Sequence, residues 1–344
     1  MYYLLCLVSL VLAKHCPEYK CTSISGAKNK CVIYDEVKRT YYVDPSNCEE
    51  GNCFSELDPQ KNVSCYTLYS GQLGGVKYPG EKCEFDSDCS SYAVNGCVQG
   101  VCKGYTEGQV FTPKLDHAYF YCNPGLRFDN ATSACLKQIQ NGGKCETDYD
   151  CTNQAVCRAN LENVKVCTGI YSLKDGEKLY TCDYIETACK SSYCMTNSTE
   201  SYCAEAMKNV NGQGAVCDSD KDCVSNAGLT LGCKCGLSGR SYCELFPGDP
   251  LMLEVADLRF EWYYGYSYKC NTGRRKSFFC MEDYWESYDE YFYKLTKSFV
   301  YPEVINAENC TLKVFEFTYY NALKEYQYDI AFAALISGTF LIML

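Results

Sequence analysis

The segment Gly80–Cys89 reads GEKCEFDSDC, and the same phrase returns as GGKCETDYDC at Gly142–Cys151 and as GAVCDSDKDC at Gly214–Cys223. All three copies fit the pattern Gly-x-x-Cys-[Asp/Glu]-x-Asp-x-Asp-Cys. Three matches at six positions each are not expected by chance, and such recurrence is the sequence signature of a repeat array. We therefore interpret the 29 cysteines of this 344-residue chain as the framework of small tandem modules.

The array predicts a fold of small disulfide-rich modules in tandem, built from short strands and loops because their cores are sulfur rather than aliphatic. Three modules are expected, at residues 14–102, 103–167 and 168–243. Their predicted disulfide framework consists of Cys83, Cys89, Cys97, Cys102, Cys145, Cys151, Cys157, Cys167, Cys217, Cys223, Cys233, Cys235 and Cys243.

The two ends of the chain predict export and anchoring. Residues 1–13 form an apolar run with a cleavage site after Ala13, which is typical of a signal peptide. The hydrophobic tail at 329–344 contains an uncharged run from Ile330 to Leu344, which would span about 22 Å as a helix, against about 30 Å for a bilayer core. We expect it to be a glycosylphosphatidylinositol signal with Asn321 as the attachment site. A short single-pass anchor and a buried helix are the alternatives.

The number of cysteines supports export to an oxidising compartment. Loss of Cys6 with the signal peptide leaves an even number of cysteines, as expected when every thiol is oxidised. The third module has an odd number, and so does the segment after it. At least one disulfide must therefore join the region before Cys243 to the region after it, most simply from the third module, unless pairing is intermolecular. We interpret Cys233 and Cys235 as members of two separate disulfides.

Three sequons of the mature chain predict glycosylation at Asn62, Asn130 and Asn197. A fourth, at Asn309, is less suited because its middle residue, Cys310, is expected to form a disulfide.

Residues 244–328 differ in composition and predict a small, aromatic-rich helical segment next to the membrane. Asp249-Pro250 is a typical helix start. Three apolar stripes have helical spacing: Leu251, Val255, Leu258 and Trp262; Tyr284, Tyr288, Tyr291, Leu295 and Phe299, widened by Trp285 and Phe292; and Leu312, Phe315, Tyr319, Leu323 and Tyr326. The basic cluster Arg274–Lys276 is expected to be a solvated loop.

Catalytic patterns are lacking in the sequence. The chain has two histidines, His15 and His117, and no Cys-x-x-Cys, zinc-protease, nucleophile-elbow or phosphate-loop motif. We predict a protein that is not an enzyme and has no cofactor. A hydrolase that uses carboxylates alone is the alternative.

Paired aspartates recur within the phrase, and two interpretations compete. Alternating carboxylates can bind calcium, but short acidic side chains also accept backbone N–H bonds and fix tight turns, which we favour. The run that starts at Asp218 resembles an EF-hand loop, but Cys223 stands where that loop has its turn glycine and Leu229 where it has its final glutamate. The residues concerned are Asp86, Asp88, Asp148, Asp150, Asp220 and Asp222.

The phrase, followed by two further cysteines, resembles the Dickkopf N-terminal cysteine-rich module and, more loosely, the EB and EGF-like modules. The resemblance covers Cys83–Cys102, Cys145–Cys167 and Cys217–Cys243. Tandem modules of this type also resemble cysteine-rich surface proteins of protists, which implies a location on the outer face of the plasma membrane.

These features predict a glycosylated cell-surface protein for recognition, adhesion or a protective coat. Variable loops at Val94–Gly96, Ala159–Val164 and Asn226–Leu231 would carry the contacts. The net charge of −11 has no basic stripe, which argues against nucleic acid. We expect the partners to be the membrane, through the tail, and an extracellular protein or glycan, with self-association as a further expectation.

Overall fold

A computed structural model describes residues 16–23, 30–48, 52–53, 63–66, 77–113, 117–182, 188–197 and 200–311. These residues form two compact units. The first unit takes the described residues of Met1–Tyr69, Lys208–Asp249 and Thr296–Asn321, and the second those of Ser70–Met207 and Pro250–Leu295.

A five-stranded sheet lies in the first unit. Its strands are β1 (Glu18–Cys21), β2 (Lys30–Asp35), β3 (Thr40–Val43), β4 (Asn52–Cys53) and β5 (Val63–Tyr66), in the order β1-β3-β2-β5-β4. Strands β1 and β3 are parallel, and the other neighbours are antiparallel.

The core of this sheet is aromatic and aliphatic rather than sulfur alone. Tyr19 and Tyr41 stack with ring centroids 4.4 Å apart, and Val32, Val43 and Leu237 are buried with them. The sequence interpretation, which expected sulfur cores throughout, did not find this sheet. The apolar residues alternate too little along such short strands to stand out from the cysteine pattern.

The described residues contain five copies of one small folding unit, which we name repeats 1 to 5. Repeats 1 to 4 belong to the second compact unit and repeat 5 to the first. They span residues 77–103, 105–137, 139–169, 173–204 and 209–244. The predicted modules at 103–167 and 168–243 thus hold two repeats each.

Every repeat begins with a β-turn that has a glycine at its third position. The residue after the glycine donates its N–H to the carbonyl oxygen three residues earlier, as in Glu81 N to Tyr78 O at 2.9 Å. The glycine needs a left-handed backbone, which residues with a Cβ rarely adopt. The five glycines, all with positive φ, are Gly80, Gly108, Gly142, Gly176 and Gly214.

The turn then closes onto a hairpin whose second strand contains a cysteine. In repeat 1 the Gly80 N–H donates to Cys102 O at 2.8 Å, and Cys102 N donates to Glu81 O at 3.0 Å. The second of these bonds recurs at the corresponding atoms of all five repeats. The hairpin strands are β6 (Cys97–Val98), β7 (Val101–Cys102), β8 (Leu126–Asp129), β9 (Ala134–Lys137), β10 (Ala155–Ala159), β11 (Lys165–Gly169), β13 (Cys194–Thr196), β14 (Ser201–Cys203), β15 (Cys233–Cys235) and β16 (Ser241–Cys243), and β12 (Lys178–Leu179) adds to β14.

Helices occupy the C-terminal part of the described chain. They are α1 (Pro250–Gly265), α2 (Phe278–Tyr284), α3 (Tyr288–Phe299) and α4 (Tyr301–Val304). The prediction of disulfide-rich tandem modules with a small aromatic-rich helical segment is confirmed.

The first two predicted stripes largely face the protein interior. Leu251, Val255 and Trp262 are buried on α1, and Tyr288, Tyr291, Phe292 and Leu295 on α3. Leu258 is half-buried and Phe299 is exposed. Tyr284 ends α2 instead of continuing into α3, because Trp285 takes an extended backbone there.

Several predictions fall on residues outside the described part of the chain. These are the signal peptide at 1–13, glycosylation at Asn62, the third helical stripe, the tail at 329–344 and the anchor residue Asn321.

Candidate functional site

The second aspartate of each phrase binds the backbone of its own turn. Asp88 Oδ2 accepts hydrogen bonds from Glu84 N at 2.8 Å and Phe85 N at 2.9 Å. Asp150 and Asp222 make the same pair of bonds at 2.8–2.9 Å. Each carboxylate thereby fixes a single 3₁₀ turn between the first two cysteines of its repeat, which belong to different disulfides. The turns are Asp86–Asp88, Asp148–Asp150 and Asp220–Asp222.

The first aspartate reaches the hairpin instead. Its Oδ1 accepts the N–H of the third cysteine: Asp86 from Cys97 at 2.7 Å, Asp148 from Cys157 at 2.8 Å, and Asp220 from Cys233 at 2.7 Å. The two carboxylates of a phrase therefore connect the turn to the hairpin, as the turn interpretation predicts.

These bonds favour the ionised carboxylates. The N–H groups of Phe85 and Glu84 lower the pKa of Asp88, and those of Asp218 and Ser219 lower the pKa of Asp222.

Calcium binding by the phrase aspartates stays the alternative interpretation. In the part of the chain that the structure describes, the groups of three ligand atoms close enough to share an ion consist of cysteine sulfurs, in one case with Glu308. All of those cysteines are disulfide-bonded and provide no thiolate. None of these groups within the described residues includes an aspartate of the phrase.

The disulfides repeat with one connectivity. In repeats 1 and 3 the first cysteine pairs with the third and the second with the fourth: Cys83–Cys97 with Cys89–Cys102, and Cys145–Cys157 with Cys151–Cys167. Repeat 5 has the same order in Cys217–Cys233 and Cys223–Cys243, with Cys235 as an additional cysteine that pairs outside the repeat. Repeat 4 has the same order in Cys182–Cys194 and Cys189–Cys203. Repeat 2 has Cys122–Cys135 alone. The core clusters of repeats 3 and 5 consist mainly of these sulfurs.

Two long-range disulfides hold the first unit together. Cys16 pairs with Cys235, and Cys21 pairs with Cys310. Cys233 and Cys235 thus belong to separate disulfides, as predicted, and a disulfide does join the regions before and after Cys243. The expectation that it starts from the third module is wrong: it starts from Cys21, because β1 brings the first module to that position.

Two of the three residues in the basic cluster 274–276 are not solvated as the sequence suggested, whereas Lys276 is exposed. Arg275 is 3% exposed, and its Nη1 donates to Ala155 O at 3.0 Å. Arg274 Nε donates to Glu81 Oε1 at 3.0 Å, and its guanidinium lies 4.5 Å from the Tyr78 ring centroid. Glu81 is fully buried, so this ion pair replaces its lost hydration.

Two asparagines dock repeats 2 and 3 against the same loop. Asn271 Nδ2 donates to Phe120 O at 3.1 Å and Cys122 O at 2.6 Å, and Asn153 Nδ2 donates to Ser267 O at 2.6 Å and Cys270 O at 2.9 Å. Both asparagines are buried, so their amides satisfy carbonyls that water does not reach. Residues 267–275 therefore organise the second unit. No spacing pattern marks these residues for this role in the amino-acid sequence.

The predicted variable loops all present an exposed aliphatic side chain. Val94, Leu161 and Leu229 are 41%, 64% and 43% exposed. The backbone beneath them is fixed: Asn95 N donates to Lys103 O, and Asn160 Oδ1 accepts the N–H groups of Glu162 and Val164. Local hydrogen bonds therefore hold the backbone of these loops.

The sequons within the described residues lie at the surface. Asn130 and Asn197 are exposed. At the fourth sequon the disulfide expected at Cys310 is present, and Thr311 is fully buried with its hydroxyl donating to Glu308 O.

His117 has a positive φ of 67° and its ring centroid lies 5.5 Å from that of Tyr119. Among the described residues no hydrogen bond links its imidazole to an acid or a hydroxyl. His15 lies outside them. The absence of enzymatic activity stays a prediction.

None of the helices in the described chain combines the length and apolar character that crossing a membrane requires. Comparisons with family models, with curated proteins and with solved structures find no match to this chain.

Proposed function

We propose that this chain is a non-enzymatic surface protein of the secretory pathway, which uses a disulfide framework to display short loops for recognition, adhesion or a protective coat. One observation carries the proposal. The repeats keep the same turn and the same hairpin bonds, while the segment between the second and third cysteines changes from Cys89–Cys97 to Cys151–Cys157 and Cys223–Cys233. A constant frame with changing loops suits binding rather than catalysis.

The framework requires an oxidising compartment. Twelve disulfides join described cysteines, and in repeats 3 and 5 they constitute most of the buried core. Small modules with so little aliphatic core do not remain folded when reduced. This chemistry supports an extracellular location.

A first experiment tests location and oxidation together. Live cells that express the full chain are treated with a membrane-impermeant amine-biotinylation reagent, and the protein is alkylated before and after reduction for mass spectrometry. We expect surface labelling and no free thiol at the paired cysteines. An unlabelled protein with many free thiols would refute the proposal.

The anchor needs a separate test because Asn321 and the tail lie outside the described residues. Phosphatidylinositol-specific phospholipase C should release the protein, with a C-terminal peptide that ends near Asn321. Retention with an intact tail at Leu344 would instead favour a short membrane helix.

Recognition and coat formation predict different behaviour in solution. A coat protein should self-associate at micromolar concentration in sedimentation velocity, whereas a recognition module should stay monomeric. If self-association occurs through the loops, Val94→Asp, Leu161→Asp and Leu229→Asp should weaken it. Val37→Asp is the matched control, since Val37 is 94% exposed but lies in the β2–β3 turn.

A further inference from the structure

One of the described disulfides differs from the others in its exposure. Among the cysteines of the twelve disulfides that join described residues, only Cys21 is exposed, and its partner Cys310 is half-buried. Cys83–Cys97 and Cys182–Cys194 are half-buried at both ends, and each of the other described disulfides has at least one buried cysteine. In thiol–disulfide exchange a thiolate must reach a sulfur, so access selects which disulfide reacts.

This bond also differs from the repeat disulfides in its position along the chain. The disulfides of the repeats join cysteines 12 to 20 residues apart, whereas Cys21 and Cys310 are 289 residues apart. Opening Cys21–Cys310 therefore leaves each repeat with its own cross-links. The first unit also keeps Cys16–Cys235 and the ladder between β1 and β3. The bond can thus open while these parts stay folded.

The surroundings favour Cys21 as the sulfur that is attacked and Cys310 as the sulfur that leaves. Cys310 is the less exposed of the two, and its Sγ lies 3.7 Å from Val43 O. Val43 is the residue opposite Cys21 in the β1–β3 ladder. Once Cys310 is released as a thiol, its S–H can donate to that carbonyl. The leaving group therefore has an acceptor already in place.

Glu308 lies beside both sulfurs. Its Oε2 accepts the N–H of Cys21 at 2.7 Å, and a carboxylate oxygen and the two sulfurs all lie within 4.8 Å of one another. A negative charge at this distance repels an incoming thiolate and disfavours the departing one. Because Glu308 is exposed, salt screens the effect. The carboxylate therefore slows exchange and leaves the bond accessible.

We infer that Cys21–Cys310 is a thiol–disulfide exchange site, at which an extracellular thiol opens this bond and leaves the repeat disulfides closed. The thiolate attacks Cys21 Sγ, the S–S bond breaks, and Cys310 leaves as a thiolate that takes a proton from water. Cys21 is then held in a mixed disulfide with the thiol. If the reagent is a dithiol, its second sulfur attacks its first, which releases Cys21 as a thiol and oxidises the dithiol to a disulfide.

This inference goes beyond the proposed surface function and names a class of covalent partner. Exchange removes the covalent link between β1 and the chain after α4. The start of α4 stays attached to the first unit, since Leu237 N donates to Glu303 O at 2.8 Å. We therefore expect a local change at residues 305–311 and intact repeats.

Cys16–Cys235 is the matched control disulfide. It also joins the N-terminal part of the first unit to a distant residue, 219 positions away. Cys16, however, is only 4% exposed. The two bonds therefore share the unit and the long separation and differ in access.

The experiment exposes the purified, oxidised full chain, without denaturant, to rising concentrations of reduced glutathione, dithiothreitol or reduced thioredoxin. Free thiols are trapped by alkylation and located by peptide mass spectrometry. We expect Cys21 and Cys310 to react at least about tenfold faster than Cys16 and Cys235, with a glutathione adduct on Cys21. Reaction with thioredoxin identifies protein dithiols as a source of the thiol, and reaction with glutathione alone identifies small thiols; both support the site.

A charge variant tests the part played by Glu308. Glu308→Gln keeps an oxygen that can accept the Cys21 N–H and removes the charge, so exchange should become about two- to fivefold faster at low salt, with less difference at high salt. Glu36→Gln is the control, because Glu36 is exposed in the β2–β3 turn, at the other end of β3 from Val43. Equal rates for the two variants would overturn the role of Glu308.

Two outcomes would overturn the exchange site itself. One is alkylation of Cys16 and Cys235, or of the repeat cysteines, at the same or lower thiol concentration than Cys21 and Cys310. The other is the absence of any adduct or free thiol at Cys21 under conditions that keep the chain folded. Neither outcome bears on surface labelling of cells, so the proposed surface function is tested separately.

Discussion

Repeats 1 and 2 build one frame by different means. Both have the glycine turn, and in both the glycine N–H donates to the last cysteine's carbonyl at 2.8 Å: Gly80 to Cys102 and Gly108 to Cys135. Both keep the disulfide to the last cysteine of the repeat, Cys89–Cys102 and Cys122–Cys135, which we call the inner disulfide. The other disulfide of repeat 1, Cys83–Cys97, is the outer disulfide. Repeat 1 adds Cys83–Cys97, and the equivalent positions of repeat 2 hold Phe111 and Phe128 with ring centroids 5.0 Å apart.

The pairing of the hairpin strands shows that Phe111 and Phe128 occupy the positions of Cys83 and Cys97. Cys97 pairs with Cys102 across the repeat 1 hairpin, as Phe128 pairs with Cys135 in repeat 2. Phe111 follows its turn glycine by three residues, as Cys83 does, and also stacks on Tyr105 at 4.1 Å. The frame therefore needs a filled contact between turn and hairpin, which either a disulfide or an aromatic pair provides. The disulfide acts chiefly by restricting the unfolded chain, and the aromatic pair by burial.

The largest difference should follow from removing the inner disulfide. Cys122→Ser with Cys135→Ser leaves repeat 2 without any disulfide, so we expect a loss of about 2–5 kcal/mol and local opening of residues 105–137. Cys89→Ser with Cys102→Ser leaves Cys83–Cys97 in place and should open repeat 1 less. Native-state hydrogen exchange of the two hairpins measures both. Equal opening would show that the outer disulfide adds nothing.

Truncating the aromatic pair should have the next largest effect. Phe111→Ala removes contacts with Phe128 and Tyr105 and should cost about 3–4 kcal/mol in the free energy of unfolding of repeat 2. Phe111→Leu, which keeps an apolar side chain, is the control and should cost less. Thermal or denaturant unfolding followed by exchange at the Phe111 N–H, which donates to Ser133 O, checks this.

A covalent replacement provides the reverse test of the same pair. Phe111→Cys together with Phe128→Cys should form a disulfide with the connectivity of repeat 1, visible as a linked peptide in mass spectrometry. Two free thiols at these positions would contradict the equivalence.

The same substitution explains what sequence could and could not reveal. The repeated phrase identified repeats 1, 3 and 5 because their first two cysteines keep one spacing and the same glycine and aspartates accompany them. Repeat 2 was hidden because Phe111 and Phe128 stand where the pattern has cysteines, and repeat 4 because Leu179 pairs with Ser201 at the first position while the cysteine, Cys182, comes three residues later. The turns at Gly108 and Gly176 were the remaining signal.

Long-range packing was beyond the sequence for a different reason. A charged triplet such as 274–276 is expected to be solvated unless it pairs with a buried acid. Its partner Glu81 is far away in the sequence, so the sequence does not indicate that the two meet. Asn271 and Asn153 act through carbonyl groups, which every residue has, so no residue pattern marks their partners. The aspartates of the phrase were predictable because their partners are local.

A smaller effect should distinguish the two turn glycines. Gly108→Ala meets no atom within 4 Å, so its cost is the left-handed backbone alone, about 1 kcal/mol. At Gly80 a Cβ would lie 2.7 Å from Lys269 O and 2.5 Å from Pro124 Cγ, so Gly80→Ala should cost clearly more. Denaturant unfolding of both variants compares them. Equal costs would mean that the backbone at Lys269 yields.

The smallest expected effect is on the pH dependence of the turns, and it again separates the two repeats. The pKa of Asp88 is lowered in the folded chain by its bonds from Phe85 N and Glu84 N, so its contribution is present above the ordinary carboxyl pKa, about 3.9, and is lost as pH falls through the lower folded value. Exchange protection of the Phe85 N–H, corrected for the intrinsic rate, should therefore decrease below about pH 4. In repeat 2 the corresponding segment is Ala118–Tyr121, which has no carboxylate, and Tyr105 N bonds to Tyr121 O. Its protection should not change over that range, and a parallel decrease would mean that acid opens the whole unit rather than the aspartate turn.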